Sequence, residues 1–316
     1  MTQIIFSLIV LVALAVLFGW LMTIAARAKR GWVRWLGAIL SALLMFFFIT
    51  LAVIGILGVI SIYRTINVEV PEVTVDGTPE QVARGEHVAA VLCASCHSPD
   101  GNLPLSGGKN LSDASGLPLG NIYGPNLTPA TDIKDWSDAD LFRAIRTGVD
   151  DEGRATAMTS LPALQILSDE DILAVIAYMR QAAPVENDTP EFSPSILMAL
   201  LAGAGQVPNN VPETIMPVFA PEKAAAVEYG KYIAGYMDCQ NCHGKNLDGT
   251  SKPPFPKGPD IRKYLSSMSK DEFISLVKTS AAVAGPDEVM PWKFIGRMDE
   301  VELEALYLYL QQATGG

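Results

Sequence analysis

Cys93-Ala94-Ser95-Cys96-His97 and Cys239-Gln240-Asn241-Cys242-His243 are two copies of one pattern, and together they use every cysteine of the 316-residue chain and two of its three histidines. Two thiols one helical turn apart can add to the two vinyl groups of a haem, and the histidine that follows then lies beneath the iron as its proximal ligand. Zinc sites and thioredoxin-like redox pairs also use Cys-x-x-Cys. A zinc site has no need of a histidine directly after both pairs, and a thioredoxin pair needs a βαβ setting that this sequence lacks. No cysteine outside the motifs is left to act as a disulfide partner. The pattern predicts two covalently bound haem c groups on Cys93, Cys96, Cys239 and Cys242, with His97 and His243 bound to the irons.

Two uninterrupted apolar runs, Ile4 to Ala26 and Leu36 to Ile62, are each long enough to cross hydrocarbon of about 30 Å at about 1.5 Å per residue. Arg27, Lys29, Arg30 and Arg34 lie between them, which puts this short loop in the cytoplasm and both the N-terminus and everything after Ile62 on the other side. A cleaved leader is the alternative for the first run, but it lacks a basic start and is longer than a usual leader core. The thioether bonds of c-type haem are made on the outer face of the bacterial inner membrane, which agrees with this topology. No ionisable side chain lies within either run, so the hairpin is an anchor and a docking element for other membrane subunits rather than an ion path.

Residues 1–64 carry five basic side chains and no acidic ones, and the remainder carries 18 basic against 34 acidic, a net of −16. Such a surface excludes nucleic acid as a partner and favours a basic docking protein.

The same order of elements follows from each haem motif, as in a duplicated unit. A helix runs into the motif, Pro79 to Cys93 and Pro221 to Cys239, with Gly85 and Gly230 partway along. A turn comes next, Gly124-Pro125-Asn126-Leu127 and Gly258-Pro259-Asp260-Ile261. Short amphipathic helices then start at the serine caps of Ser137-Asp138-Ala139-Asp140 and Ser269-Lys270-Asp271-Glu272. After a methionine-bearing loop, each unit closes with a helix from near Ser168 or Asp299 through Tyr178 or Tyr309. The predicted fold is all-α. A two-helix transmembrane hairpin (1–64) and a linker (65–78) precede one haem unit (79–183), a strap (184–221) and a second haem unit (222–316). The segment between the units is expected to be an ordered strap across the domains rather than a free linker, because its apolar patch, Ser195 to Ala204, would be costly to leave in water.

Residues 79–183 and 222–312 resemble class I cytochrome c domains, in which the first and last helices cross near a glycine. The resemblance implies that the carbonyls of Pro125 and Pro259 accept the second ring proton of the proximal histidines. Met290, in Met290-Pro291-Trp292, has the form in which such domains present an axial thioether. Met158 stands at the matching place in the first unit, so both methionines are expected on the irons; Met298 and Met179 are their rivals. Trp136, Arg143, Arg146 and Trp292 are candidates for the haem propionates. His87 is expected to face solvent or a partner.

Methionine ligation raises the reduction potential, and a filled sixth position argues against chemistry at iron. The motifs between residues 123 and 185, including Tyr123-Gly124-Pro125-Asn126-Leu127-Thr128-Pro129 and Arg143-Ala144-Ile145-Arg146-Thr147-Gly148-Val149, resemble the cytochrome subunits of membrane-bound alcohol and aldehyde dehydrogenases. Those typically have three haem motifs and a C-terminal anchor. The anchor-then-two-haems layout resembles the dihaem subunit of cbb-type oxygen reductases. The expectation is a dihaem electron relay on the periplasmic face of the bacterial inner membrane, within or beside a respiratory or photosynthetic complex. A cytochrome fed by a quinoprotein or flavoprotein dehydrogenase is the alternative, and a haem enzyme with an exchangeable ligand is the second.

Overall fold

The computed structural model describes residues 2–207, 211–251, 256–285 and 288–312, and it is mostly helical. In chain order the first elements are α1 (Thr2–Ala26), α2 (Gly31–Tyr63), α3 (Pro79–Val88), a π-helical turn (Ala89–Cys93), α4 (Ala94–His97), α5 (Leu111–Ser115) and β1 (Gly120–Asn121). They are followed by α6 (Asp138–Thr147), α7 (Pro162–Ile166), α8 (Asp169–Gln181), β2 (Ser193–Pro194), α9 (Ile196–Gly203) and α10 (Val227–Tyr236). The last are α11 (Cys239–His243), α12 (Ile261–Leu265), α13 (Lys270–Val283), α14 (Trp292–Ile295) and α15 (Glu300–Gln312). The chain divides into two compact units, one of residues 1–66, 110–122 and 190–210, the other of residues 67–109, 123–189 and 211–316.

In the first unit, α1 and α2 are long and apolar enough to cross a membrane. They pack as a hairpin, with Phe18 stacked on Phe48 at 5.6 Å and Ile4 buried beside Ile62. The apolar patch of the strap forms α9, which packs on α2 so closely that a Cβ on Gly58 would fall 1.7 Å from the Ala199 carbonyl oxygen and one on Gly203 1.9 Å from that of Ile54. An apolar octapeptide loses least by burying itself against another apolar helix, and α2 supplies glycines where the backbones meet. The short antiparallel pair of β1 with β2 holds the start of α9.

In the second unit, α3 crosses α8 at Gly85, where a Cβ would sit 1.8 Å from the Ala174 oxygen, and α10 crosses α15 at Gly230, 1.9 Å from that of Ala305. Neither crossing can close around a side chain without the backbones parting. Gly85→Ala and Gly230→Ala are each expected to cost about 1–3 kcal/mol, the usual range for overpacking, in urea unfolding followed by helical circular dichroism. A loss near zero would mean that the helices do not meet there. Both serine caps form reciprocal boxes, Ser137 with Asp140 and Ser269 with Glu272, and these set the starts of α6 and α13.

The helices into the haem motifs differ from the expected continuous pair. In the first, α-helix gives way to the π turn at Ala89. In the second, helix begins only at Val227, after an extended Ala226, and ends before Asp238, whose φ of 56° is left-handed. Cys239 stands nine positions after Gly230 and Cys93 eight after Gly85, and a left-handed Asp238 precedes Cys239 where a π turn ends at Cys93.

Candidate functional site

Cys93 ends the π turn, and Cys96 and His97 follow on α4, while Cys239, Cys242 and His243 all lie on α11. Both histidine side chains are buried, and in both the ring Nδ1 lies 2.9 Å from a proline carbonyl oxygen, Pro125 for His97 and Pro259 for His243. A carbonyl only accepts, so each Nδ1 must carry a proton, which leaves the Nε2 lone pair free for a metal. Burial pushes the His97 pKa down, against the pull of the Pro125 carbonyl, and so favours the neutral ring that a ligand requires.

Glycines bring the turns onto the motifs. A Cβ on Gly124 would lie 2.0 Å from the Cys96 carbonyl oxygen, and one on Gly258 2.6 Å from His243 Nδ1. The Gly258 N–H donates to the Cys242 carbonyl at 2.7 Å. Burial pushes the thiols of Cys93 and Cys239 up to about 12, with Cys96 adding to the first and Asp238 to the second. Such apolar surroundings suit the neutral sulfur of a thioether. The donor set, two thiols and a tautomer-locked imidazole in each motif, fits covalent haem c.

The methionine loops have distinct supports. Met158 sits in a tight turn whose N–H donates to Thr156 Oγ1 at 3.2 Å, and Gly148, at a φ of 72°, lets the backbone of Met158 and Thr159 approach. The Met290 carbonyl accepts the Trp292 N–H at 2.7 Å. Met158 and Met290 are partly exposed, while their rivals Met179 and Met298 are buried at 5% and 0% exposure, as core residues are. Trp136 and Trp292 are half-buried. Arg143 donates from Nε to the Val149 carbonyl and from Nη2 to that of Asp150 and to Asp140, which fixes the loop leading to Met158.

Arg146 is buried rather than solvated. At 4% exposure it donates to the carbonyls of Leu164, Gln165 and Leu167 at the end of α7, and to Asp169. His87 also departs from expectation. Its Nε2 lies 2.7 Å from Oε2 of Glu302, on α15 of the second haem segment.

His87 belongs to a polar exchange, not foreseen from the sequence, between the segments that carry the two Cys-x-x-Cys-His motifs. Asp171 and Glu302 stand three residues after the caps of α8 and α15, and His87 and Tyr232 two residues after the crossing glycines of α3 and α10. Each reaches the other segment's carboxylate: His87 meets Glu302, and the Tyr232 hydroxyl donates to Asp171 at 2.6 Å. Arg84 bridges both acids, with Nε 2.7 Å from Asp171 and Nη1 3.2 Å from Glu302. Arg297, just after α14, donates at 2.7 Å to the Ala90 carbonyl in the π turn ahead of Cys93. The repeated acid at the third position of each closing helix was the available signal, since a single acid on an otherwise apolar helix face is rarely accidental.

Residues 82–183 match the cytochrome c family and form a cytochrome c domain, the class of domain that carries covalently bound haem c. Among curated proteins, the chain is 33% identical over 173 residues to the gluconate 2-dehydrogenase cytochrome c subunit of Pantoea cypripedii, covering 51% of this chain and 37% of that one. It is 32% identical over 259 residues to the fructose dehydrogenase cytochrome subunit of Gluconobacter japonicus, covering 73% and 52%. To one of the nicotinate dehydrogenase subunits of Pseudomonas putida it is 30% identical over 216 residues, covering 62% and 17%. The chain spans about half the length of these relatives or less. The chain thus contains a cytochrome c domain and is homologous to cytochrome subunits of dehydrogenases.

Proposed function

We propose that the chain is a membrane-anchored dihaem cytochrome c that takes single electrons from a periplasmic dehydrogenase and passes them to the respiratory chain. Residues 1–64 are the anchor, residues 79–183 and 222–316 the two haem domains, and residues 184–221 the segment between them. The observation that carries the reading is the recurrence of one geometry at both motifs, a buried histidine with its Nδ1 at 2.9 Å from a proline carbonyl. The relatives support the dehydrogenase alternative over the wider expectation of any respiratory or photosynthetic complex, and the likeness to cbb-type oxygen reductases rests on layout alone.

Bound haem supplies a reversible one-electron Fe(III)/Fe(II) couple. His97 and His243 would hold the irons through Nε2, with Pro125 and Pro259 fixing the ring planes. Met158 and Met290 would supply thioether ligands and keep water from the metal. With its ligands drawn from the protein, the chain would relay electrons and leave substrate chemistry to its partner. The net of −16 outside the anchor steers a basic partner to this surface.

Gentle detergent purification from the native membrane tests the proposal. A flavoprotein or quinoprotein dehydrogenase should remain bound, its substrate should reduce both haems, and the rate should fall as salt rises. Retention of oxygen-reductase subunits, with haems reduced only through quinol-oxidising enzymes, would contradict the dehydrogenase reading.

A further inference from the structure

The apolar end of α2 needs a cover. A hydrocarbon layer of about 30 Å takes ~20 helical residues, so a span counted from Leu36, just past Arg34, ends near Gly55. Yet α2 continues through apolar Val59 and Ile62 to Tyr63. At this level α9 meets it: Ile196 and Leu200 lie within ordinary contact distance of a Cβ on Gly55, Ala199 lies over Gly58, and Gly203 over Ile54. Ile4, Ile62 and Ala199 form a buried cluster there, with Val59, Met198 and Ala202 packed around it.

The segment that supplies α9 has no charged side chain from Phe192 to Pro212, although the chain beyond residue 64 is rich in charge. Around α9 the same unit presents apolar groups to the outside: Leu117 is 48% exposed and Phe192 42%, and on α2 Leu57 and Ile60 are 52% and 59% exposed. The start of α9 is fixed, since the Ser195 N–H donates to the Leu119 carbonyl at 2.8 Å and its hydroxyl to that of Pro118 at 2.6 Å. Leu117 and α9 therefore belong to one braced element rather than to separate loops.

We infer that α9, with Leu117 and Phe192, is a lipid-facing collar seated in the outer leaflet of the bilayer. This rests on the anchored reading of α1 and α2. The collar fits the acyl-chain and headgroup boundary, where an apolar body without charge is stabilised by leaving water. It would attach the chain to the membrane by two later segments as well as by the hairpin, and so limit tumbling of the parts that follow Tyr63.

Nitroxide labels on single cysteines in the haem-loaded full chain, reconstituted into phosphatidylcholine–phosphatidylglycerol nanodiscs, test this by collision with oxygen and with a water-soluble nickel chelate. Phe47→Cys in α2 reports on the anchor, Leu117→Cys and Leu201→Cys on the collar, and Glu80→Cys on water. The collar labels are expected to resemble the α2 label, with oxygen collisions at least several-fold above those of the chelate. Chelate accessibility like that of Glu80→Cys at both collar positions, or shielding from both reagents, would overturn the collar while the α2 label still reports lipid. A chelate-accessible Phe47→Cys label would instead overturn the anchored reading, and the collar with it.

Discussion

Glu302→Ala is expected to destabilise the protein by about 3–5 kcal/mol, the usual result of removing one partner from a buried ionic group. The carboxylate is fully buried and serves His87, Arg84, Lys223 and the Asp299 N–H at once. Its loss would leave Arg84 half-served and His87 without its acceptor. Burial alone would raise the Glu302 pKa, but the hydrogen bond and charge of His87, the Asp299 N–H and the Lys223 charge outweigh it and hold the group at about 2, below its ordinary 4.5. The folded pKa lies below the unfolded one, so the contribution is present above about pH 4.5 and is lost as pH falls toward 2, a linkage of about 3 kcal/mol. Urea unfolding of Glu302→Ala and Glu302→Gln across that range provides the check. The native protein should lose stability with acid, and both variants should lose the part of that slope owed to residue 302. A loss below ~1 kcal/mol at pH 7 in the alanine variant would mean that the exchange between the haem segments is not built as described.

Met158→Ala and Met290→Ala should each convert one haem, and only one, from low to high spin and lower the potential of that site, because a thioether ligand favours the ferrous state. The double variant should carry two such haems. Optical and electron-paramagnetic-resonance spectra of oxidised protein measure this directly. Met179→Leu and Met298→Leu, which keep the volume of buried core residues, should leave both spectra unchanged and cost less than about 1.5 kcal/mol. An unaltered spectrum in either alanine variant would remove that methionine from the iron.

Much of this was legible because the signals are local. A serine followed by an acid three residues later specifies a capped helix start whatever surrounds it, and Ser137 and Ser269 do so. Gly85 and Gly230 were visible as glycines interrupting helices, and the structure gives each a helix backbone where a side chain would have been. The partners of long-range contacts were not legible. An apolar stretch such as Ile196–Gly203 declares that it will be buried but not against what, and α2 receives it. His87 looked like a surface group because its acceptor lies 215 residues away on a helix that itself reads as an ordinary amphipathic closer. The π turn at Ala89–Cys93 escaped notice for a different reason: one extra residue per turn hardly alters apolar spacing over five residues.

The haem content of the denatured chain tests the central claim most directly. Acid–acetone extraction removes porphyrin that is merely bound, and alkaline pyridine spectra of the residual polypeptide count what is tethered through sulfur. Two equivalents per chain are predicted, falling to one when Cys93 and Cys96, or Cys239 and Cys242, are replaced by alanine. One equivalent in the native sequence would leave a single haem domain, and none would contradict the account at its root.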